Sequence, residues 1–326
     1  MSEESHVATP QAGHPPRLEA LHFLVTYRCT YACEHCFVWG GPDQESTMTA
    51  AQLHEATDQA AGAGCTTVYF EGGEPMLAYP VVLAAARHAR ALGLEVGIVS
   101  NCYWAETVDD ALVWLAPFAE IGLADLALSS YAYFTERLED ETRLRNALLA
   151  ARRLGLPGAV LEVGAAAALT DLGVPCGEPG EIMFKGRAAQ ALATGERLRR
   201  PPAELASCPH EDFADPGRCH VGADGNLMPC QGISVGNLWQ TPLHEILAGY
   251  EPAALPVVRE IQAGGPWALA TATGLEPALP LYADECHLCY ELRSRLRAAG
   301  RHLDVLCPDA CYGPGEPASD AGKETP

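Results

Sequence analysis

The stretch "LHFLVTYRCTYACEHC", residues 21–36, joins a short apolar run to three closely spaced cysteines. The apolar part, 21–26, is typical of a buried β-strand. Cys29, Cys33 and Cys36 follow it with the spacing C-x3-C-x2-C. Iron–sulfur clusters and structural zinc sites usually take four ligands from the protein. The run therefore predicts a metal site that lacks one protein ligand.

Short apolar runs alternate with helical patterns from about residue 20 to 195. Strands are predicted at 21–26, 66–73, 94–101, 123–130, 158–165 and 180–186. Helices are predicted at 49–64, 79–93, 107–122, 135–155 and 187–193. Strands that alternate with helices form right-handed βαβ units in a parallel sheet. The fold class is therefore α/β, either a doubly wound sheet or a partial α/β barrel.

Three further motifs come directly after predicted strands. "EGGEP" (71–75) follows the second strand, "SNCYW" (100–104) the third and "SSYAY" (129–133) the fourth. In α/β folds of both kinds, ligands bind at the carboxyl ends of the strands. Because these ends share one edge, the motifs and the cysteine run are expected to form one site.

Composition excludes several classes of partner. The net charge is −21, from 42 acidic residues against 21 Lys and Arg, whereas nucleic-acid binding needs a basic surface. No apolar run reaches the ~20 residues that span a bilayer, so no membrane partner is expected. The first 17 residues lack the features of a secretory signal. We therefore expect a cytoplasmic protein, with a disordered arm over 1–17 and a disordered tail over 314–326.

The pattern changes after about residue 195, so we predict one domain over 18–196 and a second over 197–313. The stretch 218–232 predicts a β-hairpin that turns at Asp224-Gly225 or Gly225-Asn226. A short helix is predicted at 241–250, loops to about 283, and a helix at 286–300 that begins with CxxC. Seven of the 13 cysteines lie in this half: Cys208, Cys219, Cys230, Cys286, Cys289, Cys307 and Cys311. The odd total of 13 argues against a closed disulfide framework. In a reducing compartment such cysteines indicate metal binding or catalysis.

The C-x3-C-x2-C run after the first strand, with Gly-Gly-Glu-Pro after the second, resembles the radical S-adenosylmethionine (SAM) superfamily. The resemblance implies a partial (β/α)6 TIM-like barrel over 18–196. It implies a [4Fe–4S] cluster on Cys29, Cys33 and Cys36 whose free iron binds SAM. Reduction by a flavodoxin- or ferredoxin-like donor would cleave SAM to a 5′-deoxyadenosyl radical, which removes a hydrogen atom from the substrate. His35 stands where the family often has an aromatic residue.

The resemblance also implies cofactor-binding residues at the strand ends. Gly72 and Gly73 would let the backbone approach the methionine amino group of SAM closely. Glu74 would fix this loop or accept a hydrogen bond, or is a solvated turn residue. Four polar residues would bind the ribose or carboxylate of SAM, or cap their strands: Ser100, Asn101, Ser129 and Ser130.

Three residues are candidates for roles at the substrate. Lys185 and Arg187 would bind a carboxylate or steer the substrate, or are surface cations. Cys102 would donate a hydrogen atom to a substrate radical, or packs in the core.

The cysteine-rich half resembles the Twitch and SPASM extensions of radical SAM enzymes, which carry one and two auxiliary [4Fe–4S] clusters. We favour the single-cluster Twitch reading, because 17 residues separate Cys289 from Cys307 and no terminal cysteine follows Cys311. It implies four ligands: Cys208, Cys230, Cys286 and Cys289. Cys219 is the alternative to Cys208, and Cys307 and Cys311 are either free or hold a second auxiliary cluster.

The reaction remains open at this level. The leading hypothesis is oxidation or crosslinking of a peptide or small-molecule substrate, with electron transfer to the auxiliary cluster. The alternative is a radical epimerase that uses a cysteine hydrogen donor. A non-catalytic metal-binding scaffold is the hypothesis of another class, and it would leave the Gly-Gly-Glu-Pro loop without a purpose.

Overall fold

The computed structural model describes residues 15–129, 139–161 and 182–313. Its centre is an eight-stranded sheet with the strand order β5-β4-β3-β2-β1-β6-β7-β8. Five strands in the predicted places run parallel to one another: β1 Ala20–Thr26, β2 Thr67–Gly72, β3 Glu95–Ser100, β4 Asp125–Ser129 and β5 Gly158–Leu161. The expected α/β class with a mostly parallel, open sheet is confirmed.

Helices connect these strands as predicted: α1 Ala50–Gly62, α2 Tyr79–Ala91, α3 Val108–Glu120 and α4 Glu139–Leu154. Local sequence defines where two of them begin. The Thr49 side chain accepts from the backbone N–H of Gln52, whose side chain in turn accepts from the N–H of Thr49, which is a capping box. Thr107 caps α3 in the same way through the N–H of Asp110.

The sixth parallel strand is not where the sequence predicts it. Of the predicted strand 180–186, the structure describes 182–186, and these residues are not in a strand. Gly186, with φ +60°, leads instead into helix α5, Arg187–Ala191. The sixth parallel strand is β6, Arg218–Val221, which pairs with β1 on the side away from β2.

The hairpin that follows continues the same sheet. Strand β7, Asn226–Met228, is antiparallel to β6, and β8, Gly236–Asn237, is antiparallel to β7. The predicted turn is confirmed, because Gly225 has φ +89° and its N–H donates to the Gly222 carbonyl at 2.8 Å. The first part of the cysteine-rich half is therefore hydrogen-bonded to β1, the strand that leads into the C-x3-C-x2-C run.

Three helices complete the cysteine-rich half: α6 Leu243–Ala248, α7 Pro256–Thr273 and α8 Glu285–Ala298. The prediction of loops up to about 283 is wrong for α7. Its backbone departs from helical geometry at Gly264 and Gly265. A Cβ on Gly265 would lie 2.3 Å from the Ser207 nitrogen, so glycine is needed for this close approach. Burial of apolar residues such as Ile261 outweighs the weak helix propensity of this stretch.

Two apolar cores support the site. The larger surrounds the sheet and includes Phe23, Phe70 and Phe118. The smaller lies around α7 and α8 and includes Cys230 and Leu288. Among the described residues, no helix has the length and apolar character needed to cross a membrane.

Candidate functional site

A cavity of about 360 Å³ lies at the carboxyl ends of the central strands. It brings together residues from the C-x3-C-x2-C run and from the ends of β2, β3 and β4. Its lining includes eight of the residues singled out in the sequence: Cys29, Cys33, Cys36, Gly72, Gly73, Ser100, Asn101 and Ser129. Ser130 lies outside the described residues. The expectation that the rim motifs meet in space is thus matched by the positions of these side chains.

Gly72 and Gly73 have a structural role in addition to lining the cavity. A Cβ on Gly73 would lie 2.2 Å from the Arg28 carbonyl oxygen. Gly72 has φ +127°, and a Cβ there would lie 2.5 Å from the Thr26 oxygen. The N–H of Gly73 donates to that same oxygen at 2.6 Å. The two glycines therefore let the end of β2 pack directly against the start of the cysteine loop.

Glu74 holds the ends of β2 and β3 together and is fully buried. Its carboxylate accepts from the Ser100 hydroxyl at 2.9 Å, the Asn101 N–H at 2.7 Å and the Met76 N–H at 3.0 Å. It is not part of the cavity lining. Glu74 therefore positions the rim, and the prediction that it binds cofactor directly is not matched by its position. Burial raises the pKa of Glu74 to about 7.

We expect Glu74→Gln to flatten part of the pH dependence of stability. A carboxyl pKa raised from 4.5 to about 7 favours the protonated form in the folded state. The protonated Glu74 carboxyl thus adds to the free energy of unfolding. This stabilisation is complete below about pH 4.5 and is lost as the pH rises through 7, and it amounts to at most on the order of 3 kcal/mol. The unfolding midpoint of wild type should therefore fall more between about pH 5 and 8 than that of the variant. The exposed Glu45→Gln is the matched control, and parallel profiles for wild type and Glu74→Gln would contradict the prediction.

Arg187 anchors the loop that carries Cys29, Cys33 and Cys36. Its guanidinium donates to the Cys33 carbonyl at 2.6 Å and the Gly40 carbonyl at 2.9 Å, and lies over the Trp39 ring at 5.1 Å. Its backbone N–H donates to the Cys36 carbonyl at 2.8 Å. Both ends of the guanidinium contact the loop and Arg187 does not line the cavity, so its position supports a role in fixing the loop; binding of substrate stays a prediction.

Arg187→Lys is expected to weaken metal binding at the first cavity about 10–100-fold. An ammonium group cannot reproduce the two-pronged contact with separate carbonyls, and loss of a residue that orients metal ligands costs this much in affinity. The iron bound per chain would be measured after reconstitution. Arg199→Lys, at an exposed position, is the control, and unchanged iron binding in Arg187→Lys would refute the assignment.

The three cysteines of the first cavity fit a metal cluster. Burial raises the pKa of Cys29 to about 12 and raises that of Cys33 as well. Without metal the Cys29 and Cys33 thiols are neutral at pH 7, and a bound metal would draw off their protons. The Asn101 side-chain amide donates to Cys29 Sγ at 3.4 Å, and the Gly40 N–H donates to Cys36 Sγ at 3.1 Å. Both donors would stabilise a thiolate.

A second cavity brings together four cysteines from three separate segments. Its lining includes Cys208, Cys230, Cys286 and Cys289. Cys219 does not line it and is buried on β6 within the larger core. Cys307 and Cys311 line neither of the two cavities. Among the alternatives left open by the sequence, the position of the thiols favours Cys208 over Cys219.

Lys185 is buried in the wall of this second cavity and does not face the first. Its ammonium donates to the Gln231 side-chain oxygen and lies 3.7 Å from Glu211 Oε1 and 4.0 Å from Cys230 Sγ. Burial opposes its charge, but Cys230 and Glu211 raise its pKa above the usual value. Lys185 was predicted to contact substrate at the first cavity. In the structure its contacts are with the cysteine site of the second cavity.

Cys102 lies in the core. The side chain is fully buried, and its thiol is 3.9 Å from the Ser100 carbonyl oxygen. The backbone adopts φ +64° there and its N–H donates to the Ser100 hydroxyl at 3.3 Å. Because Cys102 is buried and does not line the first cavity, its position supports the packing alternative over the hydrogen-atom donor.

Sequence reasoning missed three residues at the floor of the first cavity: His22, Glu71 and His220. Glu71 and His220 line this cavity, and Glu71 Oε1 lies 3.3 Å from His22 Nδ1 and 3.0 Å from His220 Nε2. Glu71 opens the "EGGEP" motif, so its place at a strand end was available as a signal. No local sequence signal indicated that β6 pairs with β1, and it is this pairing that brings the two histidines together.

Residues 23–161 match the Radical SAM superfamily. No curated protein matches the chain in sequence. A structure of BtrN in complex with AdoMet and 2-DOIA is similar at 14% identity, with 71% of this chain and 82% of that chain covered and a TM-score of 0.45. Streptococcus suis SuiB bound to precursor peptide SuiA is 13% identical, with 71% and 64% covered and a TM-score of 0.41. Native anSMEcpe with bound AdoMet and Cp18Cys peptide is 12% identical, with 85% and 95% covered and a TM-score of 0.43.

The matched residues run from β1 to β5 and contain all three cysteines of the first cavity and its three glycines, Gly40, Gly72 and Gly73. The motif, its place after β1 and the family match agree. Residues 23–161 are thus a radical SAM domain by this match.

Proposed function

We propose that this chain reductively cleaves S-adenosylmethionine to a 5′-deoxyadenosyl radical and abstracts a hydrogen atom from a peptide or small-molecule substrate. The observation that carries the proposal is the meeting of Cys29, Cys33 and Cys36 with Gly72 and Gly73 around one cavity. Three thiolates on a [4Fe–4S] cluster leave one iron without a protein ligand. When bound there, the cluster and SAM supply the radical chemistry.

The chain's own residues would hold and enclose this chemistry. Asn101 and Gly40 donate to the cysteine sulfurs, and Arg187 fixes the loop that carries them. Ser129 lines the same cavity and would offer its hydroxyl group to the polar groups of SAM, whereas the Ser100 hydroxyl is engaged by Glu74 and Trp104. Tyr31 and Phe37 add apolar surface to the lining, which helps to keep water from a reactive radical.

We further propose that the substrate is oxidised or crosslinked, and that residues 197–313 form a Twitch-like auxiliary domain. Cys208, Cys230, Cys286 and Cys289 would hold a fully ligated [4Fe–4S] cluster, which supplies an electron acceptor. The substrate would lose one hydrogen atom to the 5′-deoxyadenosyl radical, then one electron to this acceptor and one proton to a base or solvent. The net change is the loss of two hydrogens.

The contact between Lys185 and Gln231 supports this coupling. Gln231 lines the first cavity, whereas Lys185 lines the second. Their hydrogen bond therefore joins the walls of the two cavities. A substrate in the first cavity would be separated from Cys230 by few side chains, which favours electron transfer between them. We place the reaction in the cytoplasm, with a flavodoxin- or ferredoxin-like reductant.

Anaerobic reconstitution tests the proposal. The protein is expected to bind about eight iron and eight sulfide per chain, as two [4Fe–4S] clusters require, and to form 5′-deoxyadenosine from SAM with dithionite. A protein that binds metal but forms no 5′-deoxyadenosine would be a scaffold, and the enzymatic proposal would fail. With a substrate in hand, loss of two mass units supports oxidation, whereas uptake of solvent deuterium at unchanged connectivity supports epimerisation. The position of Cys102 does not favour the epimerase alternative.

A further inference from the structure

Three neighbouring strands bring two histidines and one glutamate together beneath the first cavity. His22 on β1 is the direct register partner of His220 on β6, and Glu71 on β2 lies opposite Leu24, two residues along β1 from His22. Alternate residues of a strand share a face, so the three side chains project to the same side of the sheet. They are 13%, 12% and 3% exposed for His22, Glu71 and His220.

Their ligand atoms lie at the spacing found around a metal ion. Glu71 Oε1 is 3.3 Å from His22 Nδ1 and 3.0 Å from His220 Nε2. Donor atoms bound to one first-row ion at about 2.0–2.2 Å are themselves about 3 Å apart. Within the described part of the chain, His22 Nδ1 and Glu71 Oε1 have no hydrogen-bond partner of acceptable geometry. Buried polar atoms rarely stay in that condition without a ligand.

The rings and the carboxylate are held in place by their surroundings. The Tyr69 ring stacks on His22 with a centroid distance of 4.5 Å, and the Tyr69 hydroxyl donates to Asp125 at 3.1 Å. The Gln231 side-chain nitrogen lies 3.1 Å from His220 Nε2 and 3.3 Å from its Nδ1, so an ion bound at Nε2 would displace the Gln231 N–H from that atom. The contacts of Tyr69 are of the kind that fix ligand orientation in metal sites.

We propose that His22, Glu71 and His220 bind one divalent first-row transition ion, such as Zn²⁺ or Fe²⁺. Two imidazoles and a carboxylate suit these ions and do not suit Mg²⁺ or Ca²⁺, which prefer all-oxygen sites. Three protein ligands leave coordination positions open, as in catalytic metal sites. Because Glu71 and His220 line the cavity that holds the three cysteines, these positions are available to an oxygen or nitrogen atom of the substrate. The site is additional to the SAM chemistry proposed above.

Zinc uptake by the reconstituted protein tests the proposal. Protein whose iron and sulfide have been counted is incubated anaerobically with Zn²⁺, freed of excess by gel filtration and analysed for metal. Wild type is expected to retain one zinc per chain with unchanged iron. His220→Ala and Glu71→Gln are each expected to lower zinc affinity by about tenfold or more. Zinc-edge X-ray absorption should show nitrogen and oxygen neighbours and no sulfur.

The matched control is a second histidine–carboxylate pair on the surface. His88 Nε2 lies 2.7 Å from Asp58 Oδ1 and its ring stacks on His54, but the pair is solvent-exposed. His88→Ala should retain zinc as wild type does. Absence of zinc from wild type, equal retention in the Glu71→Gln and wild-type proteins, or sulfur neighbours at the zinc would each overturn the site. Zinc uptake without 5′-deoxyadenosine formation would overturn only the proposed SAM chemistry.

Discussion

Cys33→Ala is expected to abolish 5′-deoxyadenosine formation while about four iron atoms per chain remain bound. Cys33 lines the first cavity with Cys29 and Cys36. A [4Fe–4S] cluster left with only two protein thiolates is not expected to be retained. The second cavity is built from separate segments and keeps its own four thiols. Iron, sulfide and 5′-deoxyadenosine would be measured on the same reconstituted sample.

Cys65→Ala is the control for that experiment. Cys65 is a buried thiol of the larger core and lines neither cavity. Its replacement removes a sulfur of similar burial without touching a proposed ligand, so iron content and 5′-deoxyadenosine should stay at wild-type levels. Continued SAM cleavage by Cys33→Ala would mean that the radical is generated elsewhere, and the assignment of the first cavity would be wrong.

Cys208→Ala and Cys219→Ala are expected to differ by about four iron atoms per chain. Cys208 lines the second cavity with Cys230, Cys286 and Cys289, so its loss should release the auxiliary cluster. Cys219 is buried on β6 and lies outside that lining, so its replacement should leave the cluster in place. Both variants should still form 5′-deoxyadenosine, because neither thiol lies at the first cavity.

The same pair of variants tests the role of the second cavity in the reaction. If its cluster accepts the electron from the substrate, Cys208→Ala should consume SAM without yielding oxidised product. The unfolding midpoint should also fall in Cys208→Ala, because a cluster would crosslink the segment near residue 208 to β7 and α8. Loss of iron in Cys219→Ala with retention in Cys208→Ala would reverse the ligand assignment. If Cys208→Ala lost iron but still gave the wild-type yield of oxidised product, the second cavity would have no role in the reaction.

Local pattern was enough for the first five strands and their helices. Alternating strand and helix periods, with Thr49 and Thr107 as caps, mark elements that fold by the same rules wherever they occur. Two elements escaped this reasoning. Helix α7 has a Gly-Gly pair and Pro266 within it, and only burial of its apolar side against α8 makes it a helix. Strand β6 is short, and its partner β1 lies about two hundred residues earlier in the chain.

The candidate site likewise combines residues that local sequence predicts correctly with residues whose contacts it does not predict. Cys29, Gly73 and Asn101 were singled out because strand ends in a parallel sheet share one edge, and they do line one cavity. Arg187 and Lys185 were expected at the substrate because they are cations near a strand end. Their partners are backbone carbonyls of the cysteine loop in one case and Gln231 with Glu211 in the other. These partners are remote in sequence, so no local pattern could reveal them.

The sequence by itself determined that three thiols lie together at the first site, because cysteines separated by three and by two residues on one short loop stay close in space. It also determined the parallel sheet, because strand and helix periods are local properties of the chain. The tertiary structure alone decided which later thiols meet: Cys208 joins Cys230, Cys286 and Cys289, while Cys219 faces the core. It alone placed His22, Glu71 and His220 in contact, because pairing of β6 with β1 depends on how distant segments share one buried sheet.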